Sequence, residues 1–250
     1  MTTRDTQKLI LDTAVELFNQ YGTARISSNR IADSCRLSRG HLYYHFRRKE
    51  EIVSAIYERM ASEVKHNWGD DLEHPTVHHM IAMFDRHLAM LWRHRFFYRE
   101  MMALLAVDEH LQQRFRRDRH DRTLIVTDFF RALIANRVLL GPRDEHTLEN
   151  LVKASWIVCD NWINYVSVDS PALYPDCVQE GYELVLDLFR PYLSPKTLLL
   201  LRELPGPGRR TAPVPSADSA IAAQPQPLSP GRVAPQALRC MISVSSLKKV

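Results

Sequence analysis

Eleven consecutive residues combine basic and aromatic hydrogen-bond donors: Arg39-Gly-His-Leu-Tyr-Tyr-His-Phe-Arg-Arg-Lys49. A guanidinium such as that of Arg39 can donate two parallel hydrogen bonds to guanine O6 and N7. His41 offers an imidazole beside it. Tyr43, Tyr44 and His45 add hydroxyls and a second imidazole of a length that reaches a phosphate backbone, and Arg47, Arg48 and Lys49 add cations. Gly40 is a poor helix residue, by roughly 1 kcal/mol against Ala. Its presence makes sense where backbone must pass close to a phosphate or a base edge. This is the chemistry of nucleic-acid contact rather than of catalysis.

Such donors need a rigid mount, and the flanking residues supply one. Ser27 is a good N-cap for a short helix that turns Ile31, Ala32 and Cys35 inward. A tight turn follows at Arg36-Leu37. Ser38 caps a second short helix with Leu42 and Phe46 inward at i, i+4. Two short helices across a tight turn make a helix-turn-helix, whose second helix enters the DNA major groove by its N-terminal end.

From Ile31 to Glu50 the pattern Ile-Ala-x-x-x-x-x-Ser-x-Gly-x-Leu-Tyr-x-x-Phe-x-x-Lys-Glu resembles the N-terminal domain of TetR-family bacterial transcriptional regulators. The likeness begins in the first helix and runs to about residue 56. It implies a three-helix DNA-binding head on a larger helical body that binds a small molecule and dimerises, usually with repression relieved by that molecule. By position, Asn29, Arg39, Gly40 and His41 correspond to groove-facing residues, and Ser28, Tyr43, Tyr44, His45 and Lys49 to phosphate contacts. The family usually carries glycine in the turn, where this chain has Arg36. A left-handed backbone there would cost a non-glycine residue roughly 1–2 kcal/mol.

Charge follows the same division. Residues 1–50 hold nine Lys/Arg against five Asp/Glu, residues 51–204 hold 18 against 23, and residues 205–250 hold six against one. A basic head on an acidic body suits a polyanionic partner. The last segment contains eight of the 14 prolines and no aromatic residue, a composition expected to be disordered. The expected organisation is a head over 1–50, a body over 51–204 and a Pro-rich tail over 205–250. Helical periodicity prevails between the ends, so the expected fold is all-α. Its helices are expected at 5–21, 28–35, 39–46, 49–68, 76–94, 97–106, 109–138, 145–167, 176–193 and 195–204.

In the body, segment 84–102 is rich in methionine and aromatic residues, which suits core packing and equally a pocket for an apolar effector. Phe84, His87, Phe97 and Met101 are its candidate lining residues, with Trp156, Asn161 and Tyr165 as anchors from the helix expected at 145–167. That helix and the next are apolar on two sides, which suits one face in the monomer core and one against a second copy, as the resemblance also implies. The alternative for such helices is full burial within a monomer.

Other chemistries fare poorly. There is no GxSxG, HExxH, Walker loop or dinucleotide-binding glycine pattern, and 8 glycines are few for a nucleotide-binding α/β enzyme. The best metal candidate, His74, His78 and His79, is interrupted by Pro75. No enzyme activity, catalytic residue, metal or cofactor is therefore expected. No apolar run approaches the roughly 20 residues of a membrane helix. The N-terminus carries no secretory pattern, and the four cysteines have no close pairing, so a cytoplasmic location is expected. The leading expectation is a homodimeric repressor that binds a near-palindromic double-stranded DNA operator and is released by a small, largely apolar ligand. The alternatives are a ligand-dependent activator, or a helical interaction protein whose head does not bind DNA.

Overall fold

A computed structural model describes residues 2–67, 74–169 and 176–203. The Pro-rich tail and the expected break at Ser170-Pro171 lie outside those residues. Among the described residues ten α-helices follow one another: α1 (Thr3–Tyr21), α2 (Ser28–Ser34), α3 (Arg39–His45), α4 (Lys49–Asn67), α5 (Val77–Arg93), α6 (Arg95–Val107), α7 (Glu109–Ala135), α8 (Glu145–Asp169), α9 (Asp176–Phe189) and α10 (Pro195–Glu203). The expected all-α fold is correct. Among the described residues the sole sheet-like pairing is a bridge between Leu139 and Leu193. It ties the α7–α8 loop to the short 3-10 turn Arg190–Tyr192 that ends α9. No described helix is long and apolar enough to cross a membrane.

The head folds around the inward faces of its short helices. Ile10, Ala14 and Phe18 of α1 meet Ile31 and Ala32 of α2, Leu42 of α3, Phe46, and Ile52 and Ile56 of α4, all buried. Neither α2 nor α3, seven residues each, would persist alone in water. Their serine caps and this shared core hold them. In α1 the start lies at Thr3 because Thr2 and Asp5 form a reciprocal capping box. Its end is set by Gly22, whose φ of 81° favours glycine.

The turn between α2 and α3 accommodates Arg36 without losing its form. Leu37 N–H donates to Ala32 O at 2.9 Å and Arg36 N–H donates to Asp33 O at 3.0 Å, the two closing bonds of a Schellman motif. That motif requires a left-handed residue, and Arg36 supplies it at φ 55°. The usual turn is therefore built without the usual glycine. Relief of roughly 1–2 kcal/mol of strain, less the roughly 0.5–1 kcal/mol of chain entropy that glycine adds to the unfolded state, gives the expected result for Arg36→Gly. It should stabilise the protein by up to about 1 kcal/mol, raising the thermal midpoint by about 2–4 °C. A lower midpoint would mean that the Arg36 side chain supports the turn.

In the body, α8 packs on α6, α7 and α9, and α5 packs on α9 as well. α4 belongs to both regions, since it packs on α1 as well as on α5 and α7. Head and body consequently cluster as one packed unit with no gap at residue 50. The α8–α9 crossing is close. A Cβ at Gly181 would stand 2.6 Å from Cγ and 2.8 Å from Nε1 of Trp162, so glycine is needed for the backbone to seat against the indole.

Candidate DNA interface and effector cleft

α3 sorts its residues by direction. Leu42 is buried, while Arg39, Gly40, His41, Tyr43 and Tyr44 are exposed and His45 is half-buried. Ser38 Oγ accepts from His41 N–H at 3.1 Å, which fixes the first turn that carries Arg39 and Gly40. The imidazoles of His41 and His45 stack at 5.4 Å, and the Tyr44 ring stands edge-on to His45 at 5.2 Å. Burial, and then the neighbouring His41, hold His45 below its ordinary pKa. Around Gly40 no heavy atom lies within 4 Å of where a Cβ would be. No neighbour among the described residues requires glycine there. Ser28 and Asn29 sit half-buried in the first turn of α2, and Arg30 beside them lies 4.6 Å over the Tyr21 ring.

Lys49 has a partner inside the protein. Its ammonium donates to Thr23 O at 2.8 Å, which ties the start of α4 to the α1–α2 loop. That bond makes it a strut within the head. Lys49→Met should therefore destabilise the head by about 1–3 kcal/mol. The slope of log affinity against log salt should stay unchanged, measured by fluorescence anisotropy on operator DNA. A slope flatter by about one unit would restore the phosphate-contact reading.

The same loop is gripped from the body. Thr23 N–H donates to the Glu100 carboxylate at 3.1 Å, and its hydroxyl donates to that carboxylate as well. Asn19 Nδ2 donates to Arg93 O at 2.8 Å, while Phe96 N–H donates to Asn19 Oδ1 at 3.0 Å. Arg99 donates to Asn19 O at 2.9 Å. The α5–α6 corner thus holds the end of α1 through buried and half-buried polar groups. These residues escaped the sequence reading because partners some 77 positions apart leave no local signal.

Two small cavities open between α5, α7, α8 and α9, and they share Phe84, His87 and Cys159 as walls. Each has room for only one or two waters, so a larger occupant must part these side chains. The first is closed by Trp162, Gly181 and Tyr182, the second by Met83, Ser155 and Trp156. The His87 ring meets Trp156 edge-on at 5.5 Å. Burial, reinforced by Arg122, pushes the His87 pKa down to about 3, so the ring is uncharged at neutral pH.

The profile described as "Bacterial regulatory proteins, tetR family" matches residues 10–56, and that described as "Bacterial transcriptional repressor", TetR, matches residues 46–200. The chain belongs to the TetR family. A TetR-family regulator from Marinobacter aquaeolei VT8 is 31% identical, with a TM-score of 0.71 over 81% of this chain and 98% of that one. SmeT, the repressor of the Stenotrophomonas maltophilia multidrug efflux pump SmeDEF, shares the fold at 22% identity. Its TM-score is 0.54, over 84% of this chain and 97% of that one. The transcriptional regulator AcrR of Shigella flexneri is 36% identical over 61 residues, 24% of this chain. The match spans only 28% of AcrR.

Within this TetR-family regulator the seven residues expected around a ligand scatter. Phe84, His87 and Trp156 line the cavities. Phe97 instead stacks on Tyr57 at 5.3 Å in the core, and Met101 is half-buried away from both cavities. Asn161 and Tyr165 are exposed on the opposite side of α8, where Asn161 bonds back to Ile157 O and Tyr165 stacks on Trp162. Periodicity shows that α8 is apolar on two sides but not which side faces inward. Of the cleft residues missed, Gly181 left a signal: a glycine inside an apolar helix costs roughly 1 kcal/mol and implies a close neighbour. His79, a metal candidate by sequence, caps α5 by accepting from Thr76 N–H at 3.0 Å.

Proposed function

We propose that the chain is a homodimeric repressor, without enzyme activity, that binds a near-palindromic operator in double-stranded DNA and leaves it when a small, largely apolar effector enters the α5–α8–α9 cleft. Residues 1–50 form the reading head and 51–204 the effector and dimer body. Arg39 reads a base edge with His41 and Asn29, Gly40 admits the close approach, and Ser28, Tyr43, Tyr44 and His45 hold phosphates. The observation that carries this reading is α3 itself, whose buried side completes the head core while its other side offers donors to solvent. The intact turn at Arg36 argues against a head that has lost its role.

Dimerisation is supported by the outer faces of α8 and α9. Ile157, Tyr165 and Val168 repeat at helical spacing with 65%, 67% and 83% exposure, and Leu184 of α9 joins them. An apolar stripe on two packed helices suits a two-fold partner. The effector reading is supported by the enclosed aromatic lining; SmeT, of the same fold, has a triclosan complex. Coupling runs through the corner of α5 and α6. The cleft wall at Phe84 and His87 lies on α5, and that helix ends at the Arg93 carbonyl held by Asn19. A cleft that opens shifts the corner, and the grip on the α1–α2 loop shifts the head.

The coupling is bounded by the effector's differential affinity for the two head positions, typically about 1–3 kcal/mol, or about 5–150-fold. By reciprocity the operator weakens effector binding by the same factor. A compound found by thermal-shift screening should therefore bind more weakly in calorimetry when operator is present. Equal affinity with and without operator would refute effector release for that compound.

A further inference from the structure

Arg122 of α7 is an unusual buried cation. It is 7% exposed, and its Nε donates to Asp118 O at 3.1 Å. Its guanidinium carbon lies 5.6 Å from the Trp156 ring centre and 6.0 Å from that of Phe115. Among the described residues no carboxylate stands within 4.0 Å of the guanidinium, although nine ion pairs form elsewhere. The Asp118 carboxylate instead approaches Arg114 at 3.7 Å. Arg122 and Arg119 act on the buried Asp160 carboxyl from beyond ion-pair distance, favouring its charged form against the larger effect of burial. Buried cations are nearly always paired, because burial without a counter-charge is costly.

Trp156 is the partition between this cation and the cleft, since its ring carries Arg122 near one face and lines the second cavity beside His87. None of the residues that line the two cavities is acidic. If the Trp156 ring turns aside as an occupant enters the second cavity, the guanidinium behind it is uncovered at the cleft wall. We infer that the effector is an apolar molecule bearing an anionic group, and that Arg122 receives that group. The inference rests on the reading of this cleft as the effector site. A guanidinium presents a planar fork matched to a carboxylate, and in a dry site such charged hydrogen bonds are strong. The depressed pKa of His87, to which Arg122 contributes, fits a positive field at this wall. A lipophilic cation would meet that field with no acid on the wall to offset it.

Three probes of one shape test the idea on the full chain: 2-naphthoate, 2-naphthalenemethanol and 2-naphthylmethylammonium. Binding is read by calorimetry and by the thermal midpoint. Naphthoate should bind at least about tenfold more tightly than the alcohol, with the ammonium weakest. Arg122→Met should abolish the preference for naphthoate and leave the alcohol's affinity in place; Arg122→Lys should keep part of the preference. Should the Met variant fail to fold, the wild-type series and the Lys variant decide the matter. Cys159→Leu, which fills the wall common to both cavities, separates the two ways of failing. If wild type binds all three alike and Cys159→Leu blocks them, the anionic assignment falls and the cleft stands. If the probes bind Cys159→Leu unimpaired, or none binds wild type, the cleft reading falls too.

Discussion

Taking the protein from pH 7.5 to pH 5 is expected to lower its folding stability by about 3 kcal/mol, seen as a fall of about 6–12 °C in the thermal midpoint. Two buried histidines cause it. Burial pushes His87 down to about 3 and His94 down to about 4, the latter although its Nδ1 lies 3.2 Å from Met90 O. In the unfolded chain both titrate near 6.5. Below that value the unfolded state binds protons that the folded state refuses, so stability falls with pH from about 6.5 towards 4. Each histidine contributes a loss of about 2 kcal/mol at pH 5. Asp160 acts the other way. Its carboxyl is pushed up to about 6 by burial, so the folded state takes up a proton that the unfolded state does not, returning about 1 kcal/mol at pH 5. Thermal melts across this range check the sum, and His94→Gln should make the decline shallower. A midpoint unchanged between pH 7.5 and pH 5 would contradict the burial of both rings.

Arg39→Ala is expected to weaken operator binding by about 1–3 kcal/mol for each bidentate hydrogen-bond pair to guanine that it removes. A dimer with two reading heads is weakened by about twice that, or roughly 30-fold to 10⁴-fold. Preference among bases at one position of each half-site should relax at the same time. Folding should be untouched, since Arg39 is exposed and makes no ion pair among the described residues. Gly40→Ala is the informative companion. With nothing within 4 Å of the added methyl, it should stabilise α3 by up to about 1 kcal/mol. It should nonetheless weaken DNA binding, because the surface that needs the gap is external. Anisotropy titrations with matched and single-base-changed duplexes check both. Arg39→Ala with its base preference intact would move the reading role to another residue.

What the sequence disclosed was what short-range rules govern. The serine caps at 27 and 38, the inward Ile31, Leu42 and Phe46, and the outward donors of α3 are all local, and each stands where spacing puts it. Helix ends without a proline or glycine were harder. α7 stops at Ala135, earlier than expected, because Arg137 turns left-handed at φ 58° in a second Schellman closure with no glycine to announce it. α5 and α6 part at the single residue His94, so α6 starts two residues early. The cleft and the grip on the α1–α2 loop depend on packing between distant segments. Phe97 as core and Phe84 as cleft wall look alike in composition, and only the tertiary fold separates them.

If the exposed face of α3 selects particular DNA sites, mapping where the protein sits on the chromosome, in strains that carry the wild type or Arg39→Ala, will show it. Discrete wild-type sites are expected, one of them beside the protein's own gene, that share a near-palindrome. Half-sites should lie about 34–36 Å apart or a multiple of that, and occupancy should vanish in the Arg39→Ala strain. Wild-type occupancy without discrete sites, or the same sites at the same occupancy in both strains, would contradict it.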